Sequence, residues 1–358
     1  MPDDYHFLAL KDGASGLQLR PAVTPQYTDP AKYRPAVGLC EAIDAAMLLG
    51  MPLLLTGEPG TGKTQAARWL AHRLEAPLLR HDVKSTTAGR DLLYTFDEVA
   101  RFRCASANEE RAQIEFVTFS ALGEAIVRTL GGQAELTARF DGSAIPAAAF
   151  SEGDTHRTAS LLPGVAGFAA RPPEHCVVLI DELDKAPRDT PNDLLAEIDN
   201  MAFEMPELGL RITADSNWRP IVIITSNSER ALPYPFLRRC LFFDIPPPDR
   251  AEMAKIVAQS IEGIDAGSPL LKDAWNFYVA LRSKPTLRKR PGTAEFLAWM
   301  DALVRLARLS PESRLSADAA AQFEPTLVCL AKSPEDLEIA KNQLRRQEWA
   351  DADDHDGG

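Results

Sequence analysis

The sequence predicts an α/β core built on a mostly parallel sheet, followed by a separate all-helical domain. Five apolar runs of four to six residues (Leu53–Thr56, Leu78–Val83, Cys176–Ile180, Ile221–Thr225 and Leu241–Ile245) are bounded by breakers, with helical patterns between most of them. Strands that alternate with helices need crossovers, and crossovers leave a parallel sheet covered on both faces. A glycine-rich loop follows the first run and opens a helix. After Pro246-Pro247-Pro248 no strand pattern remains.

Taken in order, residues 1–35 carry Pro21, Pro25, Pro30 and Pro35 with little periodicity and read as an extended arm. The core is expected over 36–247. It opens with a helix over Val37–Leu49, where Val37, Cys40, Ile43, Ala46 and Met47 recur at helical spacing. The first strand and its loop lead into a helix over Gln65–Leu74, marked by Ala66, Leu70 and Leu74. Residues 91–174 exceed a simple crossover and read as an insertion with its own elements, including a helix near Ser120–Leu130 and a Gly/Ala/Ser-rich stretch from Gly131 to Gly167. Thr190 is expected to cap the next helix, with Asp193 at the reciprocal capping position. A helical domain over 248–347 follows, with helices at Asp249–Glu262, Leu270–Arg282, Thr293–Leu309, Leu315–Leu330 and Pro334–Arg346. Ser310-Pro311 and Ser333-Pro334 are helix-start signals. Residues 348–358 form a short acidic tail.

Composition narrows the function. The 358 residues are 45% hydrophobic and 25% charged, an ordinary globular balance. The net charge of -12 repels nucleic acid phosphates, so nucleic acid is not the expected partner. The five cysteines are scattered without a Cys-x-x-Cys pair, which argues for a reducing compartment and against a zinc site. The acidic N-terminus lacks a signal-peptide core, and the longest apolar candidate, Ala45–Leu55, is broken by Gly50 and Pro52. A cytoplasmic protein without membrane contact is expected.

The chemistry is concentrated at the strand ends. Gly57-Glu58-Pro59-Gly60-Thr61-Gly62-Lys63-Thr64 fits G-x-x-x-x-G-K-[ST] between a strand and a helix. Its glycines let backbone N–H groups curl around phosphate oxygens, and the new helix aims its positive end at the same charge. Lys63 is expected at the β- and γ-phosphates of ATP and Thr64 at Mg²⁺. Cys176–Ile180 is a buried strand that ends in Asp181-Glu182. Ligands of open α/β sheets sit at such carboxyl ends. Asp181 is expected to hold Mg²⁺, Glu182 to polarise the attacking water, and their strand to end beside that of the loop. Acidic pairs also start ordinary loops; the neighbouring phosphate loop favours the functional reading.

Asn227 stands at the tip of Ile221–Thr225, where it could bond the γ-phosphate or attacking water, or simply form a turn. Arg238-Arg239 precede the last strand. A guanidinium suits a transferring phosphoryl group, although paired arginines are commonly surface residues.

With these residues in view, the chain from about Val37 to Met300 resembles the AAA+ ATPases, and within them the MoxR-like and dynein-related branch. The resemblance makes Gly57–Thr64 the Walker A motif, Val177–Glu182 the Walker B motif and Asn227 sensor 1. It sets Arg238 and Arg239 at the arginine finger, with Arg239 favoured, and implies a ring, usually hexameric, because that finger acts on the neighbour's ATP. Lys84–Leu93 stands where the branch inserts a hairpin, and Phe203–Ile212 where it places the hairpin before sensor 1. The second sensor departs from the pattern: Arg290, with Arg288 in reserve, lies just before its helix, in a loop that also reads as solvated and basic.

The leading expectation is a ring-forming, chaperone-like ATPase that remodels or matures a client protein, which in relatives often carries a von Willebrand factor A domain. A nucleotide switch or scaffold with little turnover is the alternative, and a DNA-directed motor a weaker one.

Overall fold

The computed structural model describes residues 29–138, 145, 149–150, 158–162, 172–316 and 319–346. The arm up to residue 28, part of the Gly131–Gly167 stretch and the acidic tail lie outside the described residues.

The first segment runs α1 (Leu39–Leu49), β1 (Leu53–Thr56), α2 (Lys63–Arg73) and β2 (Leu78–Asp82). Between β2 and the next core strand come β3 (Tyr94–Phe96), α3 (Glu98–Ser106), β4 (Val117–Phe119), α4 (Ala121–Arg128) and β5 (Thr137–Ala138). Then follow β6 (Val177–Asp181), α5 (Thr190–Asp193), α6 (Leu195–Asn200), β7 (Ala202–Met205), β8 (Leu210–Thr213), β9 (Ile221–Thr225), α7 (Tyr234–Leu237) and β10 (Leu241–Asp244). The rest is helical: α8 (Arg250–Ser260), α9 (Pro269–Arg282), α10 (Thr293–Arg305), α11 (Ala320–Phe323) and α12 (Pro334–Arg346).

Among the described residues, β10-β1-β9-β6-β2 form one five-stranded sheet whose paired strands are all parallel. Side chains alternate between its faces, as the strand period requires. Leu54, Val178, Ile180, Val222 and Ile224 bury on one face in a core shared with Leu122 and Ile126 of α4. Leu53, Leu55, Val177, Leu179 and Ile223 bury on the other with Leu39 and Ile43 of α1 and Ala66 and Leu70 of α2. Helix α4 therefore covers the core sheet, although its residues fall in the stretch read as an insertion.

The sheet order corrects one expectation: β9 stands between β1, which leads into the glycine-rich loop, and β6, which ends in the acidic pair. Neighbouring strands lie about 4.8 Å apart, so the two tips are separated by roughly twice that distance. Helix α2 leaves the loop and packs across both β9 and β6, carrying Thr64 over the gap.

The hairpin expected at Phe203–Ile212 is present as β7 and β8, which pair antiparallel from Ala202↔Thr213 to Met205↔Leu210; β5 adds to its edge. Residues 84–93, in contrast, are a short 3₁₀ turn over Gly89–Leu92 and not a hairpin. The antiparallel pair begins one residue later, with β3 against β4, and α3 fills the connection. Thr190 is not a cap: Asp189 holds that position, and the Thr190 hydroxyl donates to the Thr87 carbonyl at 2.9 Å.

The C-terminal helices enclose a second core with Phe277, Phe296, Trp299 and Phe323 at its centre. Asp249 caps α8 through a reciprocal pair with Glu252, and Ser333 bonds the Asp336 N–H at the start of α12. The helix expected over Leu315–Leu330 is broken. Among its described residues α11 and a 3₁₀ turn over Glu324–Cys329 form, because Pro325 lacks the N–H that a continuing helix needs. Ser310-Pro311 likewise opens a turn, in which the Ser310 N–H donates to Ser313 Oγ, and not a helix.

Candidate functional site

The tips of β1, β9 and β6 open into a cleft of about 640 Å³ between the glycine loop, the segment Lys32–Val37, and helices α8 and α10. The loop follows β1 with little choice of sequence. Gly57 has φ +133°, and a Cβ there would lie 2.6 Å from the Ile245 carbonyl oxygen at the end of β10. Helix α2 begins at Lys63, two residues earlier than its apolar pattern suggests. Lys63 is buried, and its ammonium donates to the Gly57 and Glu58 carbonyls at 2.9 and 3.0 Å. Burial pulls its pKa below the ordinary lysine value, while Asp184, Asp181, Glu182 and Asp244 act in the opposite sense. The lysine is thus a desolvated cation held by neutral carbonyls at the mouth of a glycine loop.

Asp181 is buried at the tip of β6. The Thr64 hydroxyl lies 3.1 Å from each of its oxygens, the Thr225 hydroxyl donates to Oδ1 at 2.6 Å, and Arg80 Nη2 lies 2.9 Å from Oδ2. Glu182 follows with φ +60°, and its N–H donates to Thr225 Oγ1 at 2.8 Å. This left-handed turn lifts the Glu182 side chain toward β9, where Asn227 Nδ2 donates to Oε1 at 2.9 Å. Lys185 pairs with its other oxygen. Buried Asp184 holds the loop beyond β9 by accepting from the Asn227 and Glu229 N–H groups at 3.3 and 3.0 Å. Lys63, Thr64, Asp181, Glu182 and Asn227 therefore line one cleft, together with Pro59, Gly60, Thr61 and Gly62.

These residues fit ATP and magnesium. The loop offers an anion cradle with a buried cation, and Thr64 with Asp181 offers the oxygen-only donors that magnesium prefers. Among the described residues no cluster of three or more His, Cys, Asp or Glu could hold a metal alone.

Arg290 and Arg288 do not join the cleft. Both are exposed, and Arg288 pairs with Glu335 at 3.5 Å. The helical-region arginine that reaches the loop is Arg282, whose Nη2 lies 2.7 Å from Glu58 Oε2 and whose Nη1 donates to the Pro291 carbonyl at 2.5 Å. Its position at the end of α9 puts it within reach of the loop, whereas the turn before α10 carries residues 288–290 outward.

Arg238 and Arg239 lie elsewhere, at a cavity of about 890 Å³ lined by Met51, Pro52 and Pro220, the residues leading into β1 and β9. This is the opposite end of the sheet from the glycine loop. Both are exposed; Arg239 pairs with Asp199, and the Arg238 guanidinium lies 5.1 Å from the Tyr234 ring centroid.

Sequence reasoning missed Tyr33, Arg80, Thr225 and Arg282. Tyr33 packs on Trp69 of α2 and would meet a Cβ on Gly62 at 3.1 Å, so the arm's last residues close the cleft. A usable signal existed for Arg80 and Asp82: charges two apart on a strand share a face.

The profile of the family described as "ATPase family associated with various cellular activities (AAA)" matches residues 53–245, more than half of the chain. No curated protein matches. Among solved structures, NtrX from Brucella abortus in complex with ADP is similar at 14% identity and a TM-score of 0.44, over 86% of this chain; this chain spans 60% of that one. The matched residues run from the first residue of β1 to the end of β10, taking in the whole parallel sheet with the glycine loop and the acidic pair at its tips, and the chain belongs to the AAA family of ATPases.

Proposed function

We propose that this chain hydrolyses ATP with magnesium and works as a homo-oligomeric ring, a hexamer by resemblance, that remodels or matures a client protein. The observation that carries the ATPase reading is the meeting of Thr64 and Asp181 at 3.1 Å beside the buried Lys63. Lys63 and the loop N–H groups bind and orient the phosphates; Thr64 and Asp181 are the residues that would hold the metal. Magnesium, when bound, neutralises charge developing on the phosphates. Glu182 takes the proton from the attacking water, and Asn227 fixes the carboxylate through its bond to Oε1.

A ring is supported by the distance between parts. Arg239 and Arg238 are exposed at the far end of the sheet from their own cleft, the former paired with Asp199, so any phosphates they meet belong to a neighbour. The MoxR-like branch is supported by the β7–β8 hairpin before the Asn227 strand and by the added β3–β4 pair. A client carrying a von Willebrand factor A domain follows from the resemblance, and a cytoplasmic setting from the scattered cysteines, which suit a reducing compartment. Among the described residues no helix is long and apolar enough to cross a membrane.

The switch reading has one observation on its side: both Glu182 oxygens are engaged, by Asn227 and Lys185. Turnover measured across protein concentration separates the two readings. A ring enzyme gains specific activity as it assembles, and Lys63→Ala abolishes nucleotide binding at every concentration. Flat, negligible turnover with intact binding would leave the switch.

A further inference from the structure

Arg80 is the one cation within ion-pair reach of the buried Asp181 carboxylate among the described residues, and nothing in the glycine loop calls for it. It lies on β2, an edge strand, beside β6. Its Nη2 is 2.9 Å from Asp181 Oδ2 and 2.6 Å from Asp82 Oδ1, and its Nε donates to the same Asp82 oxygen at 2.7 Å. One guanidinium thus bridges two carboxylates of very different exposure: the Asp181 side chain is 7% exposed and that of Asp82 66%. Leu78, Arg80 and Asp82 point to one face by strand alternation, and Arg80 lines the cleft with Asp181, Thr64 and Glu182 while Asp82 stands outside its lining.

The consequence is a competition. With Thr64, Thr225 and Arg80 all on Asp181, its oxygens are occupied as they stand. A carboxylate that is to serve magnesium must first lose a cationic partner, since two cations on one oxygen repel. Asp82 already holds Arg80 through two of its nitrogens and can keep it when Asp181 lets go.

We propose that Arg80 is a positioning residue, the resident counterion of Asp181, which holds that carboxylate until nucleotide and magnesium enter and then retires onto Asp82. Arg80 thereby sets how much magnesium the site demands. This rests on the ATP-and-magnesium reading of the cleft.

The test follows a fluorescent ATP analogue binding to the full chain, first in EDTA and then during magnesium titration. Removing Arg80 leaves Asp181 as an unpaired negative charge near the phosphates. Arg80→Ala should therefore weaken metal-free binding about tenfold, the scale of one charge-assisted hydrogen bond, and lower the magnesium concentration for half-maximal tightening. Asp82→Asn removes the resting place and should raise that concentration by roughly threefold or more. A purely structural role predicts no such opposition of sign. Equal midpoints in wild type and both variants, or shifts of the same sign, overturn the proposal. Asp82 is exposed, so its variant keeps the test available even if Arg80→Ala folds poorly. If wild type itself fails to bind the analogue, the cleft is misread and the proposal falls with it; wild-type binding with unmoved midpoints sinks the proposal alone.

Discussion

Lys63 is a lysine that burial has pushed toward neutrality and that four nearby carboxylates keep charged. The sign of its pH dependence follows from that balance. Phosphate binds the protonated ammonium, so affinity is full below the depressed pKa of the free protein and falls as pH rises through it. The loss should begin below the ordinary lysine value of 10.5, and nucleotide affinity measured across the alkaline range should reveal it. An affinity constant up to that value would show the ammonium to be as solvated as a surface lysine. Glu182→Gln preserves an acceptor for Asn227 but not a base. Nucleotide binding should persist while turnover falls by about 10²-fold or more, read by phosphate release. Residues with a fixed spacing, Gly57–Thr64 and Asp181-Glu182, were legible without coordinates because their chemistry is local. Thr225 and Arg282 were not, since each acquires meaning only from a partner strands or helices away, Asp181 and Glu58; for Arg80 the pairing with Asp82 was legible but that with Asp181 was not.

At the scale of elements, the joint between the glycine loop and the helical region is the point most open to test. Gly292, the residue before α10, approaches so closely that a Cβ would lie 2.4 Å from the Pro59 carbonyl oxygen. Its backbone dihedrals are extended, so the penalty for a side chain there is steric and not conformational. Gly292→Ala should push α10 off the loop, with a destabilisation of about 1–3 kcal/mol in denaturant unfolding and a matching loss of nucleotide affinity. An affinity equal to wild type would separate α10 from the binding site. Arg282 spans the same joint from α9 to Glu58, closing the loop against the helices from a second side. The core strands were readable as short apolar runs between breakers and most of the long helices from their period, because burial on both faces of a sheet or on one face of a helix imposes those patterns. The segment 315–330 was not, for Pro325 interrupts the helix despite its apolar spacing. Nor was the 3₁₀ turn at Gly89–Leu92, whose Gly89 would, with a Cβ, lie 2.9 Å from Asp193.

At the scale of the molecule, the two ends of the sheet hold complementary parts: Lys63, Asp181 and Glu182 at one, Arg238 and Arg239 at the other. If turnover needs both ends, it needs two chains. Arg239→Ala alone should lose about 10³–10⁵ in turnover with nucleotide binding retained. Mixing it with Glu182→Gln, itself impaired, should raise turnover above either variant alone, since some sites then join an intact Glu182 to an intact Arg239. A mixture no more active than its parts would place the needed arginine in the same chain as the nucleotide, or remove it from the reaction.

By itself the sequence determined the glycine-rich loop, the acidic pair, the parallel sheet and the helical region behind it, because these depend on residues adjacent in the chain or repeating along it. Tertiary structure alone decided that β9 separates β1 from β6, that Arg282 and not Arg290 meets the loop, and that Arg80 shares Asp181 with Thr64. The physical reason is that strand order and helix docking minimise exposed apolar surface over the whole chain, and that sum has no local signature.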